Sequence, residues 1–505
     1  MRERFEESWA LWSILAAQAT LTLPWMWRTA AYTDEALYLN AAHAGWSRLL
    51  SSAPTFPGCP VLYPPIVGAL DSVGGLYAAR ILSLIFMLAS TALIYLIGDR
   101  LFGRMPAVLG ALLFAVCGIA VHLGAAATFD PMALFLLVLA LYAAVRMRDG
   151  GIRWLLICPV ALAAANLTKY ATTAWDPAII GTIVLYGWSK GRTQAVLLAT
   201  SVALTVTVLD FGILLLGGAN LAKGILVNTI YPSPQSGPPS SALSVLAHAA
   251  LMIGLIVLIA IAGVWASVVK KMPVTATAFL CLLVLAALLA PIQQARIHQI
   301  TFLDENMSFG LPFAALGAGY ALGAWRQWLG RQRHWGRVAA TVAAVVTVLT
   351  MLVVGRVERV QFRGPGLATT NAVLAAIGDN YVRGTRVLVN STTPMEKYYL
   401  PQIPADKWVK RFVVGGLKQL KKMDHKICMG YYSVIVLRTE RGGYNPALMS
   451  FIAGSRRYSL AVEVGTGGHL TRVWKLRDAG QNDAHKRQAA QQPAQGTGGC
   501  PASVG

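Results

Sequence analysis

In YTDEALYLN, residues 32–40, two carboxylates stand side by side, and a third, Asp130, opens the apolar run DPMALFLL. A carboxylate held in place takes the proton of an attacking hydroxyl as a general base. The same acids also suit helix starts, with Thr33 as cap and Asp34 and Glu35 in the first turn. Asp130 before Pro131 reads equally as a cap followed by proline at the first helical position. The two roles are compatible, because a cap fixes a carboxylate where a base must also be held. Adjacent residues point different ways on a helix or strand. Asp34 and Glu35 are therefore not an equivalent pair: one faces a cavity, the other caps or faces solvent.

Cations accompany these acids. Lys169 lies in NLTKYATTAWDP (166–177), and Arg296 and His298 lie in QQARIHQITFLDEN (293–306). Taken singly, each is explained by snorkelling or anchoring at an interface. Tyr63 begins YPP in LYPPIVGAL (62–70), where a turn accounts for the proline pair. Asp71, Asp176, Asp210, Asp304 and Glu305 read as solvated or capping residues, with Asp304 and Glu305 first among them to carry a role. No metal site with dedicated ligand spacing is legible, although grouped carboxylates are able to hold a divalent ion. The cysteines form no framework. Cys117, Cys158 and Cys281 fall in apolar runs, while Cys59, Cys428 and Cys500 fall in loops or the tail.

The elements that position these residues are set by an unusual composition: 56% hydrophobic and 13% charged in 505 residues. Trp9–Trp27, Ile81–Gly98, Met105–Phe129, Met272–Ala295, Asn306–Trp325 and Val338–Gly355 contain no charged residue. A spanning helix needs about 20 mostly apolar residues. Shorter runs at 131–145, 154–168, 177–189 and 193–209, and one at 243–269, bring the expected number of spans to about eleven. The N-terminus, which lacks a small-residue cleavage site, is read as a retained first span. The stretch YPSPQSGPPSS (231–241) cannot sit in hydrocarbon as a helix. The apolar start of that loop, LAKGILVNTIY, reads as an interfacial helix or an inert linker.

Fifteen Lys and Arg gather in alternate loops: 2 and 4; 100 and 104; 146, 148 and 153; 190 and 192; 270 and 271; 326, 331, 333 and 337. The positive-inside rule puts those loops and the N-terminus in the cytoplasm. The acids named above then all meet the outer face. After Gly355 the chain carries 22 Lys and Arg against 9 Asp and Glu. NAVLAAIG reads as a helix, and TRVLVNS, YYSVIVLR, YSLAVEVG and LTRVWKL read as strands. Three regions are expected: a membrane domain over 1–355, an extracytoplasmic α/β domain over 356–478, and a disordered tail over 479–505. The basic domain reads as a solvated surface or as one that attracts anionic headgroups or acidic glycans. Nucleic acid is not an expected partner on that face.

Several stretches, in order, resemble a known family. They are DEALY, YPP, AARILSLIFMLASTALIYLIGDRLFG (78–103), AAATFDPMALFLLVLALY (125–142), NLTKYA (166–171) and SFGLPFAALGAGYALG (308–323). Together they resemble the bacterial branch of the dolichyl-phosphate-mannose protein mannosyltransferase superfamily, which includes the lipid A aminoarabinose transferases. The resemblance covers about residues 9–325. It implies a mostly α polytopic bundle of the GT-C type that transfers a sugar, with inversion, from a polyprenyl-phosphate donor to a glycan, lipid or protein acceptor outside the membrane. It implies Asp34 as general base, with Glu35 following it. Asp130 would orient acceptor or base, and Lys169 would lie near the donor phosphate. Where aminoarabinose transferases carry Lys-Pro-Pro, this chain has Tyr63, Pro64 and Pro65. The lost cation shifts phosphate holding toward Lys169 and Arg296, with His298 and the Tyr63 hydroxyl as further candidates. No cofactor is implied. A transporter or flippase is the alternative. Such proteins place ionisable groups at mid-membrane and often repeat their halves, and neither feature is visible here.

Overall fold

The computed structural model describes residues 2–43, 45, 61–227, 240–300, 302–332, 334–361, 366–390, 394–410, 425–438, 445–455, 457–465 and 470–477. The chain divides into two compact units. One comprises Met1–Trp27 with Ala41–Arg363, the other Arg28–Asn40 with Gly364–Gly505.

The first unit is helical. Its elements begin with α1 (Arg2–Met26). Beyond α2 (Thr33–Ala42), most of which belongs to the second unit, come α3 (Tyr63–Phe102), α4 (Arg104–Val116), α5 (Gly118–Ala125), α6 (Asp130–Arg146) and α7 (Ile152–Thr168). A 3-10 segment, Tyr170–Trp175, leads into α8 (Asp176–Gly187) and α9 (Arg192–Ile225). Then follow α10 (Ala242–Ala249), a π turn, α11 (Leu255–Val269), α12 (Val274–Arg296), α13 (Leu303–Ser308), α14 (Leu311–Gln332) and α15 (His334–Gln361). Among the described residues five helices are long and apolar enough to cross a membrane, or six if the bent pair α4–α5 is one span. Along α9, Leu197, Leu204, Phe211 and Leu215 are each more than 60% exposed. An apolar surface of that extent is stable against lipid rather than water.

Small residues let the helices approach closely, as in other membrane bundles. A Cβ at Gly319 of α14 would lie 2.4 Å from the Pro106 carbonyl oxygen of α4, and one at Gly98 of α3 would lie 2.9 Å from the Ala107 backbone. The α3 helix, 40 residues long, measures about 60 Å at 1.5 Å per residue. That is twice the hydrocarbon thickness of about 30 Å, and a break at Gly75 (φ 62°, ψ −162°) divides it. The run expected to form one span over Met105–Phe129 is also divided. Cys117 is extended (φ −61°, ψ 133°) and α4 and α5 diverge by 59°. No proline or charge marks that break. It is tolerated because both sides of it are buried in protein. The stretch LAKGILVNTIY, read as an interfacial helix or an inert linker, is helical as far as Ile225, beyond a second break at Gly218. Most of YPSPQSGPPSS lies outside the described residues, as does the tail read as disordered.

The second unit is a three-layer α/β domain. Its elements are α16 (Leu367–Asn380), β1 (Arg386–Val389), α17 (Pro394–Tyr399), β2 (Trp408–Lys410), β3 (Tyr432–Arg438), α18 (Asn445–Gly454), β4 (Tyr458–Val464) and β5 (Thr471–Leu476). The sheet order is β2-β1-β3-β5-β4. β1 runs parallel to β2 and β3, and β5 runs antiparallel to β3 and β4. Alternate residues face opposite sides of a strand. Val387, Val434, Val436 and Val473 meet Val373 and Ile377 of α16 on one face. Leu388, Ile435, Leu437 and Trp474 meet Leu448, Phe451 and Ile452 of α18 on the other. Asn390 is 6% exposed and exchanges hydrogen bonds with the Arg438 backbone. Cys428 is disulfide-bonded, while Cys117, Cys158 and Cys281 form no disulfide.

Candidate active site

The α6 helix starts where α7 ends. Lys169 follows the last turn of α7 in an extended conformation (φ −150°, ψ 107°), its N–H still donating to the Ala165 carbonyl at 2.8 Å. Its Nζ donates to Asp130 Oδ1 at 2.7 Å and pairs with Glu305 Oε2 at 3.6 Å. The Phe129 and Phe309 rings lie 5.1 and 5.3 Å from the ammonium, within cation–π range. The Lys169 side chain is 6% exposed and that of Asp130 1%. Burial works against the Lys169 charge. The carboxylates of Asp130, Glu305 and Asp304 outweigh it and hold the ammonium above its ordinary pKa. Asp130 Oδ2 is buried without a hydrogen-bond partner among the described residues.

Glu305 arrives on α13 from a strained turn. His298 (φ 56°) and Phe302 (φ 61°) both adopt left-handed backbone, uncommon for residues other than glycine. The His298 ring nitrogen Nδ1 donates to the Ser240 carbonyl at 3.1 Å. Arg296 is exposed and donates to Gln293 Oε1 at 3.0 Å within its own helix. Neither joins the Lys169 cluster among the described residues. Tyr63 is buried at the first position of α3.

A second cluster shares the turn after α7. Asn166 Nδ2 donates to Asp210 Oδ2 at 2.9 Å and to Asp176 Oδ2 at 3.1 Å. The Thr172 hydroxyl donates to Asn166 Oδ1 at 2.7 Å. Asp176 and Asp210, read from sequence as solvated or capping, are therefore tied to one amide across α7, α8 and α9. Asp71 likewise departs from the solvated reading. Its side chain is 7% exposed and meets His43 Nε2 at 2.9 Å. Nothing in a linear reading distinguished these acids; the only cue was the spacing of Asn166 and Lys169 about one turn apart.

Asp34 and Glu35 belong to the second unit. The segment before α2 bridges there through Thr29 and Gly366, and the Ala31 N–H donates to the Tyr399 hydroxyl at 2.9 Å. Asn40 Nδ2 donates to the Pro394 carbonyl at 2.8 Å. Glu35 is fully buried, and its Oε2 accepts from the Tyr32 N–H at 2.7 Å. That is the returning half of a capping box, with Tyr32 rather than Thr33 at the cap. Asp34, one residue earlier, is half-buried. Among the described residues no three His, Cys, Asp or Glu side chains are grouped as metal ligands.

Residues 68–210 match the family described as dolichyl-phosphate-mannose-protein mannosyltransferase. The structure is similar to that of ArnT from Cupriavidus metallidurans in the apo state, with TM-score 0.63, 13% identity, and coverage of 94% of this chain and 98% of that one. The same enzyme bound to undecaprenyl phosphate gives 0.62 and 14%, covering 94% and 99%. The fold is that of the GT-C glycosyltransferases. The apo oligosaccharyltransferase of Archaeoglobus fulgidus shares this GT-C fold at TM-score 0.58 and 9% identity, over 86% of this chain and 70% of that one. No curated protein matches the chain by sequence. The resemblance to the mannosyltransferase and aminoarabinose-transferase superfamily therefore holds: a membrane helix bundle of GT-C type with a small C-terminal sheet.

Proposed function

We propose that this protein is an integral-membrane inverting glycosyltransferase that moves a sugar from a polyprenyl-phosphate donor to an acceptor at the outer face of the cell membrane. The observation that carries the reading is the buried Lys169–Asp130–Glu305 cluster within a GT-C fold. A phosphate leaving group is already a good anion, so the reaction needs one base for the acceptor hydroxyl and positive charge beside the phosphate. A second acid of the glycosidase kind is unnecessary. Lys169 is the cation, and Asp130 anchors it at 2.7 Å. Glu305 is farther, at 3.6 Å, and 19% exposed, so the donor phosphate replaces Glu305 at the ammonium. Asp34 is the base, with Glu35 fixing the start of its helix. Arg296, His298 and Tyr63 stand as further donor-phosphate contacts.

In this reading the bundle has about eleven spans, with a cytoplasmic N-terminus and an extracytoplasmic C-terminal domain. The disulfide at Cys428 supports that side, since disulfides persist in oxidising compartments. The bound undecaprenyl phosphate of the ArnT structure supports a polyprenyl-phosphate donor. The acceptor peptide tethered to the archaeal oligosaccharyltransferase, in a structure 11% identical to this chain, supports keeping protein among the acceptors.

The test is an assay of membranes holding the protein with a panel of labelled polyprenyl-phosphate sugars, followed by identification of the labelled acceptor. Asp34→Asn is expected to lower transfer by about 10²–10⁴-fold, with protein level and topology unchanged. Full activity in that variant removes Asp34 from the base role. Label carried across the membrane without a new glycosidic bond would favour a flippase.

A further inference from the structure

Sugar transfer as proposed uses one end of α6 and α7; the other end holds a polar cavity it does not use. The cavity, of about 190 Å³, opens between the turn joining α6 to α7 and the turn joining α8 to α9. Arg148, Lys190, Tyr186 and Gln194 line it above an apolar floor that includes Met147 and Ile183. α6 and α7 have 17 residues each, about 25 Å at 1.5 Å per residue. That length separates the cavity from Asp130 and Lys169.

Its charge is arranged for an anion. The Arg148 guanidinium lies 4.7 Å from the centre of the Tyr186 ring. Lys190 Nζ donates to the Arg148 carbonyl at 2.6 Å, which fixes the two cations on one rim. Asp149, the acid that also lines the cavity, is engaged by Arg100 and Arg146. Among the described residues neither Arg148 nor Lys190 has a carboxylate partner. Both cations belong to the loops whose basic residues mark the cytoplasmic side.

The surroundings place the cavity at the level of lipid headgroups. The Trp188 ring carries Arg192 at 5.3 Å, and Trp154 carries Arg153 at 4.9 Å, a pairing of aromatic and basic side chains typical of the membrane interface. Beside the cavity the first turns of α9 expose Val196 and Leu197 at 46% and 61%, a surface suited to acyl chains.

We propose that this cavity binds the phosphodiester headgroup of an anionic phospholipid of the inner leaflet, with the acyl chains along α9. The inference rests on the membrane reading and its orientation, and not on sugar transfer. The full-length protein in detergent, incubated with phosphatidylglycerol or phosphatidylcholine, tests it by native mass spectrometry. Phosphatidylglycerol is expected to be retained and phosphatidylcholine not. Each cation near a charged headgroup is worth enough that Arg148→Gln with Lys190→Gln should lower retention by roughly tenfold or more. Gln194→Glu, at an exposed position, brings a negative charge to the rim without removing a contact, and should lower retention as well. Equal retention of both lipids, or retention unchanged in both variants, overturns the site. Competition by millimolar inorganic phosphate or glycerol phosphate, with no lipid retained, reassigns the anion to a soluble source and overturns the lipid proposal. Retention by a protein that transfers no sugar leaves the cavity standing while the enzymatic reading falls.

Discussion

Two acid clusters hang on the single turn Asn166-Leu167-Thr168-Lys169, and they are neutralised differently. Asn166 divides its two amide protons between Asp176 and Asp210, at 3.1 and 2.9 Å. Lys169 faces Asp130 and Glu305 with a full positive charge, at 2.7 and 3.6 Å. An amide satisfies hydrogen bonds without cancelling charge, so the first cluster is a tie among three helices. An ammonium in a dry site is a resource that an arriving phosphate can use, provided one of its acids lets go. Under the proposed function, the unequal distances at Lys169, against the nearly equal ones at Asn166, fit a cluster that exchanges a partner.

The largest expected effect is that of Lys169→Met. It leaves Asp130 buried without its cation, which costs about 3–5 kcal/mol, and should abolish transfer. A denaturation series in detergent reads the first effect, and a variant as stable as the parent would show that the pair is not formed. Asn166→Ala should cost less, about 1–3 kcal/mol for two acceptors deprived of donors, with the turnover of the folded fraction preserved. Turnover falling as far as in the Lys169 variant would merge the two clusters into one site. Glu305→Gln should change stability by no more than about 1 kcal/mol, as expected for a partly exposed pair, while altering the KM for the lipid donor. An unaltered KM would take Glu305 out of the exchange. Smallest of all is the response to a chelator. Activity in excess EDTA should equal that without it, and loss restored by a divalent cation would assign the carboxylates a metal.

The C-terminal strands were legible because each alternates in side-chain character or, like YSVIVLR, runs apolar. TRVLVNS, YYSVIVLR, YSLAVEVG and LTRVWKL all contain strands of the sheet. β2, three residues long, is too short to carry a period. The membrane helices were legible from apolar runs, but their breaks were not. Cys117 turns the chain within AVCGI, and Gly75 and Gly218 interrupt helices that DSVGGLY and LLGGANL do not mark with proline. Asp130 and Lys169 were each singled out by position at a helix end, whereas their pairing, and the part of Glu305 in it, depends on packing between helices distant in sequence. Asp176 and Asp210 were missed for the same reason. A carboxylate at a helix edge looks identical in sequence whether it meets water or an asparagine from another helix.

The breaks at Gly75 and Gly218 have nearly the same torsions, φ 62° and ψ −162° in one, φ 65° and ψ −165° in the other. Only glycine populates that region comfortably. A Cβ at either position meets no atom within 4 Å, so alanine there would be penalised by torsion alone. Two of the longest rods in the bundle are thus jointed, α3 in its N-terminal part and α9 near its C-terminus, each by a residue whose replacement disturbs direction and not crowding. The register of the ladder below each joint is thereby insulated from whatever the short segment beyond it does.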